Sequence, residues 1–364
     1  MSIVQFTSIA AFTLIAAALL VGPFVPALLE WLRPTDTGPL VVAREYDGDI
    51  RYFARTFERI CRDGAGLALA EVQRERRNDM LATLGRDTFR LLGEPASWMA
   101  TLAAAGASVE GLIAATDLEL PAGVSIEREV LAYGALSIGS DSVVRSAMAI
   151  GDLALSPGAT VLRWADAGGS LALADGARVL GRATASTEIR LGHGNEFQRA
   201  HAPRIVVGTA PAPVAIERVT EVAIEGTPLD RDARFVRVEG DLTIAPRSRV
   251  ACNLVVTGDL SVGALAQIDG SIKAHGRVRI GRGARVWGAI ASVKPLVLDP
   301  GAQARGPLLS EEQVELLCGA RAGDEDAPTT VSADRIVLEE GAVVCGTLWA
   351  RRRGETRAAS ANPA

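Results

Sequence analysis

Between residues 235 and 307 the apolar positions come in pairs, one residue apart, at regular intervals. The pairs are Leu242/Ile244, Leu254/Val256, Leu260/Val262, Val278/Ile280 and Leu296/Leu298, with Ala266/Ile268, Ile272/Ala274 and Ala284/Val286 in the slots between. Leu242, Leu260, Val278 and Leu296 follow one another at a constant spacing of 18. An apolar-x-apolar pair reads as a short strand with one face buried. Three such strands per repeat predict an all-β solenoid, a triangular β-helix in which each coil rests on its neighbours.

The same pattern holds upstream. Leu118/Leu120, Leu136/Ile138, Leu153/Leu155, Leu171/Leu173 and Ile189/Leu191 open successive coils at spacings of 18, 17, 18 and 18. Five residues after each start stands Gly123, Asp141, Gly158, Gly176 or Gly194. A corner there calls for positive φ, which Gly adopts at little cost. Ile126, Val144, Val161, Val179 and Phe197 then supply the next inward face. These coils make a first block over residues 107–200.

The register fails at His201. Residues 201–232 hold Ile205/Val207, Val214/Ile216 and Val222/Ile224 at irregular spacing, with Pro203, Pro211 and Pro213 among them. They read as an irregular joint, either a distorted stretch of one solenoid or a linker between two. A second block covers residues 233–349, with an insertion at 307–334. There Ser310 precedes Glu311, Glu312, Val314, Leu316 and Leu317, the pattern of a short capped helix. A polar loop containing Gly323-Asp-Glu-Asp326 follows, then a last coil from Ile336/Leu338. Residues 350–364, with Arg351-Arg-Arg353, read as a disordered tail.

The N-terminus follows another rule. Residues 2–29 carry no charged side chain. Residues 9–29 suffice to cross a hydrocarbon core of about 30 Å. Pro23 and Pro26 argue against a buried core helix, and no basic segment precedes the run as a signal peptide would want. Trp31 and Arg33 stand where interface anchors belong, so residues 1–33 read as a transmembrane anchor. Arg33, Arg44, Arg51 and Arg55 follow the span and no Lys or Arg precedes it. The positive-inside rule then puts the chain at the inner membrane, single-pass, with its bulk in the cytoplasm. Residues 34–106 read as a helical neck. An amphipathic helix at 49–62 is stopped by Asp63-Gly-Ala-Gly66, and a second at 67–84 carries the run Glu71-Val-Gln-Arg-Glu-Arg-Arg77. That run is a solvated face, with lipid headgroups the lesser reading.

Composition narrows the function. A formal charge of −5 over 364 residues argues against nucleic acid as a partner. Cys61, Cys252, Cys318 and Cys345 lie far apart without a C-x-x-C, which reads as reduced thiols rather than a metal site. The acidic trio 324–326 reads as solvated loop. There is no phosphate-cradling G-x-x-x-x-G-K-[ST] and no G-x-S-x-G. Of the three histidines, His193, His201 and His275, only His193 in Gly192-His-Gly-Asn195 is a candidate general base, set against a plain corner residue. No catalytic, cofactor-binding or metal residue is assigned, and no cofactor is expected.

Two families share the 18-residue triangular coil. Ile138-Gly139, Ile150-Gly151, Val262-Gly263 and Ile280-Gly281 suit hexapeptide-repeat acyltransferases, but large residues recur four positions on, at Leu254, Leu260, Ile272, Ile290 and Leu296. Doubled pairs with Gly270, Gly288, Gly306 and Gly346 after the second face instead resemble the bactofilins. The best stretches are Gly258-Asp-Leu-Ser-Val262, Ile268-Asp-Gly-Ser-Ile272 and Val278-Arg-Ile-Gly-Arg-Gly-Ala-Arg-Val-Trp-Gly-Ala-Ile290. The resemblance covers residues 235–307 and, with the last coil, reaches 349. It implies a right-handed β-helix that joins end to end into nonpolar filaments without nucleotide and positions cell-wall or envelope machinery at a membrane. Self-association would use exposed terminal coils, near Leu118 or Ile336, because unpaired strand edges invite further strands. The alternatives are an acyltransferase built on His193 and a non-polymerising spacer of an envelope complex. The membrane span, the upstream block and the broken joint depart from the family layout.

Overall fold

The computed structural model describes residues 3–25, 32, 50–212, 219–229 and 234–359. The chain divides into two units, residues 1–49 and 50–364. In the first, helix α1 (Ile3–Val21) leads into the 3-10 turn Gly22–Phe24. Among the described residues no helix is long and apolar enough to cross a membrane. The span expected at 9–29 runs on into residues 26–29, which lie outside the described residues, as does the start of the neck up to residue 49.

The second unit is a β-solenoid of about 14 turns with spacing close to 18 residues. Each short strand pairs in parallel with its equivalent one turn on, as Leu242–Ile244 does with Leu260–Val262, then Val278–Ile280 and Leu296–Leu298. The inward positions read from the sequence form the core: Leu254, Leu260, Ile272, Val278, Ile290 and Leu296 are at most 2% exposed. Each such side chain contributes roughly 1.5–3 kcal/mol by leaving water. The corner residues also behave as expected, with φ of 70° at Gly123, 55° at Asp141, 71° at Gly158, 70° at Gly176 and 67° at Gly194. A second corner is laced by side chains that stand just before an apolar pair. Asp117 accepts the N–H of Ala135, Asp152 that of Ser170, Asp241 that of Asp259 and Asp259 that of Arg277, at 2.7–2.8 Å. The Ser170 N–H and hydroxyl hold the Asp152 carboxyl below its usual range.

The neck is not a separate helical element. Helix α2 (Tyr52–Glu75) passes through Gly64 and Gly66 unbroken, where the sequence suggested a stop. At Gly64 the tip of the Leu84 side chain lies close, 2.6 Å from where a Cβ would stand. The second neck helix expected at 67–84 ends at Glu75. An antiparallel hairpin follows, Leu81–Leu84 with Asp87–Leu92, and its second strand pairs in parallel with Gly111–Ala114 at the start of the stack. Met80, Ala82 and Leu84 form the inner side of the first strand and alternate with exposed Leu81 and Thr83. Ala54, Cys61, Ala65, Leu69 and Val72 of α2 pack on Phe89, Leu91, Ile113, Leu131 and Met148 of the solenoid side. Helix α3 (Pro95–Ala105) begins at Pro95, because a first helical turn has no partner for that missing N–H. It lays Leu102, Trp98 and Met99 against the core beside Leu118.

Three further expectations are corrected. No helix follows Ser310. Leu308–Ser310 and Gln313–Leu316 are strands in register with Ile290–Ser292 and Leu296–Leu298. Ser310 Oγ does accept the N–H groups of Glu312 and Gln313, at 3.2 Å each, so a cap-like interaction turns a corner instead of starting a helix. The interruption therefore shrinks to the loop between Arg321–Ala322 and the strand Thr329–Glu339. At the joint, the strand Glu196–Val207 runs through His201 and Pro203. Its end pairs Ile205 with Ile189, a step shorter than the full repeat, and that contracted coil erases the periodicity. The first block thus ends at Val207; Val214/Ile216 lie outside the described residues. Finally, the supposed tail is mostly strand, Val343–Arg357, and it closes the second block.

Candidate functional site

The last coils of the two blocks meet. Glu196–Val207 pairs antiparallel with Val343–Arg357 on all three sides of the solenoid: Phe197 opposite Gly354, Ala200 opposite Leu348, Ile205 opposite Val344. Both blocks run toward this junction, so their C-terminal edges satisfy each other's backbone groups. The sides are stitched by Gly194 N–H to Thr356 O at 3.0 Å, Thr356 N–H to Asn195 O at 3.1 Å and Gly341 N–H to Val207 O at 2.8 Å. Thr356 Oγ1 accepts the Asn195 N–H at 2.9 Å and donates to Gly192 O at 2.7 Å. Phe197, 1% exposed, lies on Gly354, where a Cβ would come 2.3 Å from the ring. Arg199 stacks over Trp349 with 4.4 Å from guanidinium to ring centre.

This junction holds two of the three histidines. His193 Nε2 sits 2.6 Å from Glu340 Oε2, and Nδ1 faces Asp175 at 4.0 Å. The other Glu340 oxygen accepts the Thr209 N–H at 2.8 Å. The Glu340 contact crosses the seam, whereas Asp175 belongs to the same block as His193 and accepts its backbone N–H at 2.7 Å. His201 Nδ1 lies 2.9 Å from Thr347 Oγ1 across the same seam, and burial, with Arg51 nearby, lowers its pKa. His275 is exposed at a corner. None of the four cysteines is paired. The run Glu71–Arg77 straddles the end of α2 on the surface. Arg351, Arg352 and Arg353 pair with Asp334, Asp334 and Glu355.

Beside the seam lies a hollow of about 320 Å³. It is built from two outward columns on successive turns of the second block. One column is Arg285, Gln303, Arg321 and Val343, in direct register. The other, two residues on, is Trp287, Arg305, Gly323 and Cys345, and Arg204 of the first block closes the hollow across the seam. Gly323 leaves a gap in the second column, and the inserted loop rises there with Asp324 and Glu325 on the rim. Arg305 stacks on Trp287 at 5.6 Å, Arg204 is held by Glu188 at 2.6 Å, and Arg321 donates to Pro211 O at 2.9 Å. Burial lowers the pKa of Arg285. The Cys345 thiol at the floor is pushed up by burial and then by Glu325 and Asp324. The acidic trio thus borders a basic hollow, and among the described residues no group of three or more potential ligands could hold a metal.

None of the motifs read from the sequence points to this hollow, although Trp287 and Arg305 stand one repeat apart and Arg285 and Arg321 two. Reading the outward positions at the same period as the inward ones exposes it. No family model, curated protein or solved structure matches the chain.

Proposed function

We propose that the chain is a membrane-anchored, non-catalytic β-helical scaffold that positions cell-envelope machinery as a rigid spacer. The observation that carries this reading is the antiparallel junction. It uses up the C-terminal edge of each block, and α3 covers the core at the coil of Leu118. The two ends where exposed coils were expected are therefore occupied from within. Ile336 lies in a strand already paired with Val343–Arg357. What remains for self-association, among the described residues, are two short strands that pair on one side only: Leu118–Leu120, beside α3, and Leu242–Ile244 in the first coil of the second block, whose other two sides already pair with Thr220–Glu221 and Thr227–Pro228. Edges this short, one of them beside a helix, favour pairing of two copies over a long chain. The uncharged residues 2–29 supply the anchor, and the four unpaired thiols suit a bulk held in the cytoplasm. A right-handed coil, as the bactofilin resemblance implies, belongs to this reading.

In this reading the bond between His193 and Glu340 serves to join the two blocks. The test is sedimentation of the full chain in detergent, with negative-stain electron microscopy. Monomers or dimers are expected, as discrete rods on the order of 65 Å, from about 14 coils at 4.8 Å each. Filaments many times that length would overturn the spacer reading.

A further inference from the structure

We propose that the hollow beside the seam is a seat for a small oxyanion ligand, a phosphate or carboxylate carried on a ring. The first argument is charge. Arg204, Arg285, Arg305 and Arg321 face one cavity with Asp324 and Glu325 on its rim and Glu188 holding Arg204, a local surplus of one positive charge on a chain whose formal charge is −5. Guanidinium forks match the paired oxygens of phosphates and carboxylates better than any other side chain. Crowding four of them at a partly desolvated site raises the repulsion among them, and an anion relieves it.

The second argument is shape. At about 320 Å³ the cavity is near the lower end of ligand pockets. Trp287, 45% exposed, presents a flat face next to the arginines, suited to stacking against a ring. The third is the loop. Its insertion breaks the repeat at the gap left by Gly323, and Glu325 N–H is tied to Asp324 Oδ1 at 2.9 Å, which holds the turn on the rim. Among the described residues, neither Asp324 nor Glu325 forms an ion pair with Arg204, Arg305 or Arg321 within 4 Å. The rim carboxylates set a threshold of repulsion that only a ligand reaching the guanidinium groups overcomes. Because Arg204 comes from the other block, the seat exists only when the junction is closed. This inference does not depend on the scaffold reading.

The test uses the full chain in detergent, with calorimetry and tryptophan fluorescence at fixed ionic strength. The probes are glucose 6-phosphate, inorganic phosphate and glucose. Glucose 6-phosphate is expected to bind saturably with Kd on the order of 1 mM or below, phosphate more weakly and glucose not at all. The double variant Arg305→Ala/Arg321→Ala, at an exposed and a half-buried position outside the core, is expected to lose about 10-fold or more for both anions. Trp287→Ala should weaken glucose 6-phosphate and leave phosphate unchanged. Asp324→Asn with Glu325→Gln should tighten both anions by about 3-fold or more, since it removes repulsion without touching an arginine. Absence of binding by both anions up to about 10 mM, roughly −3 kcal/mol or weaker, overturns the proposal. So does binding that survives the double arginine variant unchanged.

Discussion

The two blocks share one repeat and present it differently. In the first, strands such as Ser125–Ala132, Thr160–Ala167 and Arg178–Ala185 carry two sides of the coil without a break, and one side is roofed by α2. In the second, every coil from Leu242 to Ala322 is three separate short strands, and no described helix covers any side. The inward residues explain neither difference, since both cores are stacked Leu, Val, Ile and Ala. The outward ones do. Where the first block needs a lid it shows Leu131 and Met148 on its outer face, and α2 supplies Cys61, Ala65 and Leu69 to cover them. The second block shows Arg249, Arg279 and Lys294 outward instead, paired with Asp269, Asp299 and Glu312. A solenoid's period specifies its core; its exterior specifies what lies against it.

The sharpest way to break this comparison is to part the blocks. Phe197→Ala empties the seam under Gly354 and should cost about 3–5 kcal/mol. Thermal unfolding followed by calorimetry should then split one transition into two, one for each block. A single unshifted transition would mean that the seam does not couple them.

Next comes the roof. Arg51, at the start of α2, forms a bidentate pair with Asp166, at 2.7 and 2.5 Å, and Asp166 is 1% exposed. Arg51→Ala strands a buried carboxylate and should cost about 3 kcal/mol. Hydrogen exchange should quicken across α2 and leave the second block untouched. Equal quickening in both blocks would show that α2 is not a local lid.

The third sharpens the same contrast by pH. Burial under the roof, then Glu58 and Glu129, push the Cys61 thiol up from 9.0 to about 12. The folded state keeps a proton that the unfolded chain releases above its ordinary pKa. Stability is thus intact below pH 9 and falls by about 1.4 kcal/mol per unit as pH rises from there toward 12. Cys61→Ala should flatten that alkaline decline in a denaturant titration; an unchanged slope would assign it elsewhere.

The smallest effect belongs to a corner of the second block. Asn253 Oδ1 accepts the Ser271 N–H at 2.7 Å, and Asn253→Ala should cost about 1 kcal/mol. A melting temperature that does not move would leave that corner to the backbone alone.

Much of this architecture was legible in the chain. Leu118, Leu136, Leu153, Leu171 and Ile189 placed five coils of one side, and the corner residues after them have the left-handed φ their positions implied. What stayed hidden has a common cause. Periodicity reports a residue's neighbour one coil away. At the seam the neighbour belongs to the other block and runs the opposite way, as Gly354 does opposite Phe197, with no repeat to announce it. Ser310 misled for a related reason, because its cap-like bonds serve a corner as well as a helix. Gly64 and Gly66 misled because packing of α2 on the solenoid carries the helix through residues that local propensity would make a stop. The arginine hollow was readable in principle, as a second period written on the outside.

The antiparallel seam also sets a schedule for synthesis. Val207 leaves the ribosome long before Arg357, the last residue of the strand that covers its edge. At roughly 5–20 residues per second, that edge waits about 8–30 s without its partner. During that interval the first block is a finished stack with one raw face, open to any strand that arrives. The chain's own completion is what ends the exposure, so stalled or truncated products should be the copies that clump.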